Sequence, residues 1–480
     1  MGTFIPILAP IFKKLLIQFI VSAITSKIFG KKGGRKGARG PGSSTGILVN
    51  QSGNNDAIPV VYGRQRMGGT RAFINTTNGN VDAGLGGYSK GDDEILNMVL
   101  ILCEGEMGDI EKVYFQDRVV WDSSDGGTTD TSGVGTGGAR LQNFKDSNHY
   151  SIEHMAYYAG TNTQTVDTTL QNSIGASTWD NNRKLLGLAY LACKLPWSEK
   201  YNGSAPEITV ELGGKKIRAA TNPVGSASAS ADQNPADVLL DYCTNETYGK
   251  GIADSSIDFA SFASARTYFD GTIGSPAAKR FTINGFVNTG DKLFDNVEEI
   301  LQACNGILTY TNGKYKLKPQ TNSETSVLSI SEDNLVGSFQ IQMTPKSSRF
   351  NKVELTFNDA GVDYNDNLVI VSNSAYKTQD NETELKATTE TTLVSNSVVA
   401  GNIAEWIMEN SRDTTTVSFT ASHDTINTTN NTLIDAGEII DITHPVVGWT
   451  NKLFRVQQVT LTEDDTLEFI VSAYDNTIQI

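Results

Sequence analysis

The stretch Lys352-Val353-Glu354-Leu355-Thr356-Phe357 alternates polar and apolar residues, and Val459-Thr460-Leu461 onward to Leu467-Glu468-Phe469 repeats the pattern. A period of two places one set of side chains on one face of an extended chain, which is the signature of a half-buried β-strand. Working outward, Lys292 to Cys304 has helical spacing and runs into Gly306-Ile307-Leu308-Thr309-Tyr310-Thr311-Asn312-Gly313-Lys314-Tyr315-Lys316-Leu317. Asn312-Gly313 between two alternating segments predicts a tight hairpin, because both residues tolerate positive φ. The reading is therefore mainly β with an α+β middle part.

At 480 residues the chain is too long for one core. Four regions follow from the text. Residues 1–45 hold an apolar helix and a basic, Gly-rich tether. Residues 46–225 form a first β-rich domain with an inserted loop region at about 121–181. Residues 226–337 are α+β, and residues 338–480 form a second strand-rich domain. Within the first domain, Ala57 to Arg64 and Gly68 to Ile74 read as a hairpin, and Glu94 to Glu104 is a long apolar run. Residues 121–139 are rich in Gly, Thr, Ser and Asp and read as a surface loop. In the middle part, Asn234 reads as an N-cap with Pro235 at the first helical position. Further helices are expected over Ile257 to Tyr268 and Val398 to Arg412.

The formal charge is −15, unevenly spread: residues 1–45 carry eight Lys and Arg and no acid, leaving −23 for the rest. An acidic body binds duplex DNA poorly, because phosphate neutralisation needs clustered Lys and Arg. It suits either plain solubility or a wall past which DNA slides. Residues 4–29 are the most apolar stretch, interrupted by Lys13 and Lys14, with Phe12, Leu15 and Phe19 beside them. Charges inside the run argue against a secretory signal, and Leu15 to Phe29 is short for a bilayer span. Two readings stay open: packing on a neighbouring subunit or partner as a plug, or contact with the host membrane.

The chemistry of an enzyme is not legible. The four cysteines, Cys103, Cys193, Cys243 and Cys304, form no Cys-x-x-Cys pair and sit in apolar contexts, so they read as buried thiols. His149 and His154 lie off the i,i+4 spacing of a helical metal pair, and His423 and His444 are scattered. Asp441 with His444 is the nearest approach to a base pair, but no nucleophile stands at a readable spacing, and His444-Pro445 reads equally as the start of a turn. Gly126-Gly127 and Gly133 to Gly138 lack the Lys-Ser/Thr ending of a phosphate loop. Counted from Asp359, the sixth residue of the acidic run is Tyr364 and not the Gly of a calcium loop, so that run reads as a solvated hairpin tip. No catalytic residue, cofactor or metal is assigned.

Six patches in order carry a resemblance: Ala57 to Arg64 with Gly68-Gly69; Cys103 to Ile110; Asn234 to Gly251; Val297 to Pro319; Arg349 to Leu355; and Ala436 to Val456. In this order they resemble the central tail-tip attachment proteins of lambda-like phages, the protein J family, and the related hubs of marine and gene-transfer-type particles. The resemblance spans about 46–478. It implies a multidomain phage tail hub with two β-barrel-like domains, found at the distal end of the virion tail. It implies a homotrimer whose six barrels match the sixfold tail tube, joined through strand edges of 46–235 and 338–478. It further implies contacts with tail-tube and distal-tail proteins, the tape-measure protein and receptor-binding fibres, a channel through which phage DNA passes without specific binding, and a part in host attachment and DNA ejection. The patches make Tyr62, Gly63, Tyr248, Gly249, Gly437 and Trp449 the assembly candidates, with Trp449 in a turn and buried as an anchor. The text ends where long members of the family continue into fibronectin-like and receptor-binding modules, and residues 4–29 match no feature of the best-known members. A host-receptor or glycan-binding module, using the Thr/Asn-rich loops at 121–180, is the alternative function.

Overall fold

The computed structural model describes Asn50 and residues 57–476, apart from 78–94, 133, 146–151, 197–204, 229–232, 275, 322, 344–347, 414, 423–424, 427, 429–432 and 463. The N-terminal candidates Phe12, Lys13, Lys14, Leu15 and Phe19 lie outside the described residues, as do His149 and His423.

The first described strands are β1 (Val60–Tyr62), β2 (Arg64–Gly68) and β3 (Thr70–Thr77), followed by β4 (Ile95–Glu104), β5 (Ile110–Phe115) and β6 (Arg118–Asp122). Next come β7 (Thr128–Asp130), β8 (Gly138–Gln142), β9 (His154–Ala159), helix α1 (Thr168–Ile174), β10 (Leu188–Pro196) and β11 (Ile208–Gly213). The hairpin expected over 57–74 does not form. The chain breaks at Gly63 and Gly69, and its three strands join three different sheets. An antiparallel six-stranded sheet has the order β3-β4-β10-β9-β8-β7, and a four-stranded one has the order β2-β11-β5-β6. Between them lies a core that includes Met98, Leu100, Val113, Phe115, Trp121, Leu191 and Val210. β4 reads as one apolar run because both of its faces are covered. Leu100 faces this core, while Val99 faces a second cluster with Tyr158, Trp179, Tyr190 and Leu170 of α1. The region read as an inserted loop instead holds the far half of the six-stranded sheet, β7 to β9, and α1, which packs back on β3, β4 and β10. Its Gly- and Thr-rich text hid strands of three to six residues, too short to show a period.

The middle body follows with α2 (Pro235–Thr244), α3 (Phe259–Phe269), β12 (Thr272–Ile273), β13 (Ala278–Lys279), β14 (Gly285–Val287), α4 (Leu293–Ala303), β15 (Gly306–Thr311) and β16 (Lys314–Pro319). Asn234 caps α2, its side chain accepting from the Ala236 N–H. β15 and β16 pair through a turn with Asn312 at φ 51 and Gly313 at φ 78, as their sequence requires. β1 pairs with β14, so Val60 and Tyr62 belong to this body's core.

The remaining elements are β17 (Ser329–Ile330), β18 (Leu335–Gln342), β19 (Lys352–Asp359), β20 (Asn365–Ser372), α5 (Ser374–Gln379), β21 (Lys386–Glu390), α6 (Ser397–Asn410), β22 (Thr416–Ser422), β23 (Ile439–His444), β24 (Trp449–Leu461) and β25 (Thr466–Ala473). The stretch read as one unit from 338 divides between two cores. β19 to α6 bring Val353, Leu355, Phe357 and Ile403 into the middle core beside Ile300 and Leu301. A six-stranded half-barrel, in the order β17-β23-β24-β25-β22-β18, holds its own core of Val417, Phe419, Phe454, Val456 and Phe469. Alternation marks a strand but not the core it serves, which is why the boundary at 337 is misplaced. The half-barrel is closed by rings rather than hydrogen bonds: Phe339 of edge strand β18 lies 4.6 Å from His444 and 6.2 Å from Trp449. The tip at 359–366 is solvated at 360–363, 365 and 366, whereas Tyr364 is buried and its hydroxyl donates to Glu211 at 3.3 Å, tying this excursion back to β11. Among the described residues no helix is long and apolar enough to cross a membrane.

Candidate functional site

Four of the assembly candidates, drawn from motifs about 185 positions apart, meet at one place. The Tyr62 hydroxyl donates to Asp241 Oδ2 at 2.8 Å. The Tyr248 hydroxyl donates to the same oxygen, and the Lys215 amine donates to Tyr248. Lys215 Nζ also sits 3.7 Å from Asp241 Oδ1 and 4.2 Å from the centroid of the Tyr248 ring. The local chain explains the convergence. Asn245 Oδ1 accepts the N–H groups of Thr247 and Tyr248 after α2, which turns Tyr248 back over Asp241. Gly249 allows that turn, since a Cβ there would lie 2.0 Å from the Tyr242 carbonyl oxygen. Burial, then the Asp241 carboxylate, push both phenols far above the usual tyrosine value, so they stay protonated as donors.

Gly63 completes this first junction. Its φ is +67, and a Cβ would lie 2.1 Å from Asn284 Oδ1 and 2.2 Å from the Ile283 oxygen. Its N–H donates to Gln233 Oε1 at 2.8 Å, while Gln233 Nε2 donates to the Lys215 oxygen at 2.7 Å. The junction therefore locks the first sandwich, through β1, β2 and the segment after β11, onto α2 and β14 of the middle body.

Gly437 marks a second junction, between the middle body and the half-barrel. At φ +85 it donates its N–H to the Val456 oxygen at 2.7 Å and accepts from Arg455 at 3.2 Å. Arg455 also holds Glu324 at 2.9 Å and covers the Tyr474 ring, whose hydroxyl donates to the Thr321 oxygen at 2.7 Å. Lys316 pairs with Asp435 at 2.6 Å. Lys318 lines an open cavity of about 440 Å³ with Thr321, Glu324 and Glu438. Burial lowers the Lys318 amine below the usual lysine value, against the pull of Glu438, Asp435 and Glu324.

Trp449 opens β24 instead of lying in the turn, and it is half-buried, not fully buried. Its ring stands 5.2 Å from Phe454, and Lys452 lies over it at 5.0 Å. Asp441 and His444 do not pair with each other: Asp441 accepts from Ser329 at 2.7 Å, and His444 faces Phe339. Sequence reasoning missed a buried pair, His154 Nε2 to Asp167 Oδ2 at 2.9 Å, which Tyr158 joins at 3.2 Å. Asp167 also accepts from Leu170 N at 2.7 Å and so caps α1. Thirteen residues separate the two, so no spacing rule could have joined them; the Asp-Thr-Thr start of α1 was the one readable signal. The four cysteines are buried, and burial pushes the thiols of Cys103, Cys243 and Cys304 up to about 12. Among the described residues no cluster of His, Cys, Asp and Glu is arranged to hold a metal.

These junctions lie in a fold with known counterparts. Over its whole length the chain superposes on a chain from the virion of a native gene transfer agent particle, with a TM-score of 0.63, 13% identity and 98% of that chain covered. The fold is shared with a virion protein. A family model described as putative phage tail protein matches residues 294–459, a span that contains Gly437, Arg455 and Trp449. The baseplate hub protein pb3 of Escherichia phage T5 is 23% identical over 474 residues, covering 88% of this chain and 48% of that protein. The chain thus spans about half the length of the curated relative it matches. The likeness is to tail and baseplate hubs as a class; none of these matches names the narrower protein J family.

Proposed function

We propose that the chain is a structural hub at the distal end of a phage-type tail, not an enzyme. The observation that carries this reading is the end-to-end likeness to a virion protein, reinforced by similarity to a baseplate hub across 88% of the chain. In this reading three copies form a ring in which each contributes its sandwich and its half-barrel. The ring joins the tail tube and distal-tail proteins on one side and receptor-binding fibres on the other. The tape-measure protein ends at it, and DNA leaves through it during ejection without specific binding, past an acidic wall. Residues 4–29, with Phe12, Lys13, Lys14, Leu15 and Phe19, act as a releasable plug or later meet the host membrane. The shared bonds of the first junction suit a ring whose bodies must stay fixed to one another under tension. Copy counting by quantitative mass spectrometry of purified particles tests the reading. Three copies per tail are expected, and absence from intact particles overturns it. Deleting residues 2–29 should leave the body folded while lowering DNA retention.

A further inference from the structure

We infer that residues 4–14 of the chain seat in a cleft of the middle body between α4 and α6, anchoring the plug segment at its far end. The inference deepens the plug reading proposed above and rests on it for what the segment does once released. The cleft has a volume of about 60 Å³, room for about four waters or one branched aliphatic side chain. Its wall is apolar, with Leu301 of α4, Leu355 of β19, and Ile403 and Trp406 of α6. Asn305, which follows α4 and is 4% exposed, also lines it, and its amide nitrogen has no hydrogen-bond partner. A buried donor without an acceptor is costly, so the cleft is completed by an apolar group that brings a carbonyl with it. Two carboxylates stand in the wall: Glu299, which accepts from Thr392 Oγ1 at 2.7 Å, and Glu390. Among the described residues neither forms an ion pair.

Residues 4–14 lie outside the described residues, and their sequence carries each feature that the cleft lacks. Phe4-Ile5-Pro6-Ile7-Leu8-Ala9-Pro10-Ile11-Phe12 offers apolar side chains throughout. Pro10 has no N–H, so the Pro6 carbonyl, which a helix would pair with the amide of residue 10, is left to accept from outside. Lys13 and Lys14 bring the charge that complements Glu299 and Glu390. Two larger clefts fit worse, because Lys216 stands in the wall of one and Lys318 in the wall of the other, where each opposes Lys13 and Lys14. The path of the chain favours a seat in its own body. Ala57 lies against Gly290, where an added Cβ would come within 3.0 Å of it, and the Thr289 hydroxyl donates to the Ile58 oxygen at 2.8 Å. Both contacts precede α4, so the cleft at its far end is one helix away, about 16 Å for eleven residues. Upstream, Asn50 is fixed to Ile208 by paired bonds of 2.7 and 2.8 Å. An extended chain puts Asn50 within about 25 Å of Ala57. A Gly-rich chain of 35 residues, the length of 15–49, has an r.m.s. span of about 33 Å, which reaches the cleft without being drawn tight.

The test uses the full chain with p-benzoylphenylalanine in place of Phe12, irradiated in solution and mapped by mass spectrometry. Mixing isotope-labelled and unlabelled chains tells linkage within a copy from linkage between copies. Linkage to α4 or α6 of the same copy is expected. Linkage mainly to another body, linkage to another copy, or no linkage at all overturns the seat. Lys13→Glu with Lys14→Glu should lower the yield about fivefold, and adding Glu390→Lys should restore part of it. Glu390 is exposed, so the unfolding midpoint of the body should stay unchanged in these variants. A yield that the double charge reversal leaves as it was also overturns the seat, since an apolar contact made anywhere would behave so. Linkage at the cleft together with normal DNA retention in particles lacking residues 2–29 leaves the seat standing and removes the plug. Lost retention without linkage at the cleft does the reverse.

Discussion

The two junctions solve the same problem, joining one folded body to the next, by different means. At the first, the two phenols are buried and bonds are shared: one carboxylate serves both phenols, a lysine backs one of them, and Gly63 lets backbone touch backbone. At the second, ion pairs border an open cavity: Lys316 and Asp435 are 20% and 21% exposed, and the buried Arg455 holds the 29% exposed Glu324. Buried, fully satisfied networks fix geometry, since every alternative leaves a polar group unpaired. Partly exposed pairs such as Lys316–Asp435 contribute less and exchange more readily with water. The sandwich and middle body should therefore behave as one unit, and the half-barrel as the more separable one.

The comparison breaks most readily at Gly63. Gly63→Ala places a Cβ against backbone and a strained φ, and should cost on the order of 4 kcal/mol in denaturant unfolding followed at the first core. Asp241→Ala strands two phenols and a lysine and should cost about 3 kcal/mol, with Asp241→Asn recovering part of it. Trp449→Ala should cost about 2 kcal/mol, less than a fully buried tryptophan, and should loosen the half-barrel without moving the transition of the other cores. Glu324→Gln should cost less than about 1 kcal/mol and lose its effect in high salt. A Glu324 effect that matched the Asp241 effect would erase the distinction between the junctions.

Alkaline titration sharpens it further, because the two sites respond with opposite sign. Tyr62 and Tyr248 are raised, so above pH 10 the unfolded chain loses phenol protons that the folded chain keeps, and stability falls. Lys318 is lowered, so just below its ordinary value of 10.5 the unfolded chain holds more protons and stability rises with pH. Thermal unfolding against pH should show Tyr248→Phe flattening the fall and Lys318→Met removing the rise.

How much of this was legible follows from the range over which each signal acts. The helix caps and the Asn312-Gly313 turn are local, and Asn234, Pro235 and Gly313 stand where their chemistry requires. The strands of 121–181 were hidden by length, and the hairpin over 57–74 failed because Gly63 and Gly69 send each strand to a different sheet. Nothing in the spacing of Tyr62 and Tyr248 announces that they share Asp241. The motif order marked them as a set, but only folding shows that they touch. The His154–Asp167 pair had no such mark.

The account stands or falls on where the chain sits. Electron cryo-microscopy of intact particles should show three copies closing the distal end of the tail tube, each with its sandwich and half-barrel in one ring and its first junction intact. Density that placed the chain in the head, along the tube shaft or only in peripheral fibres would contradict it.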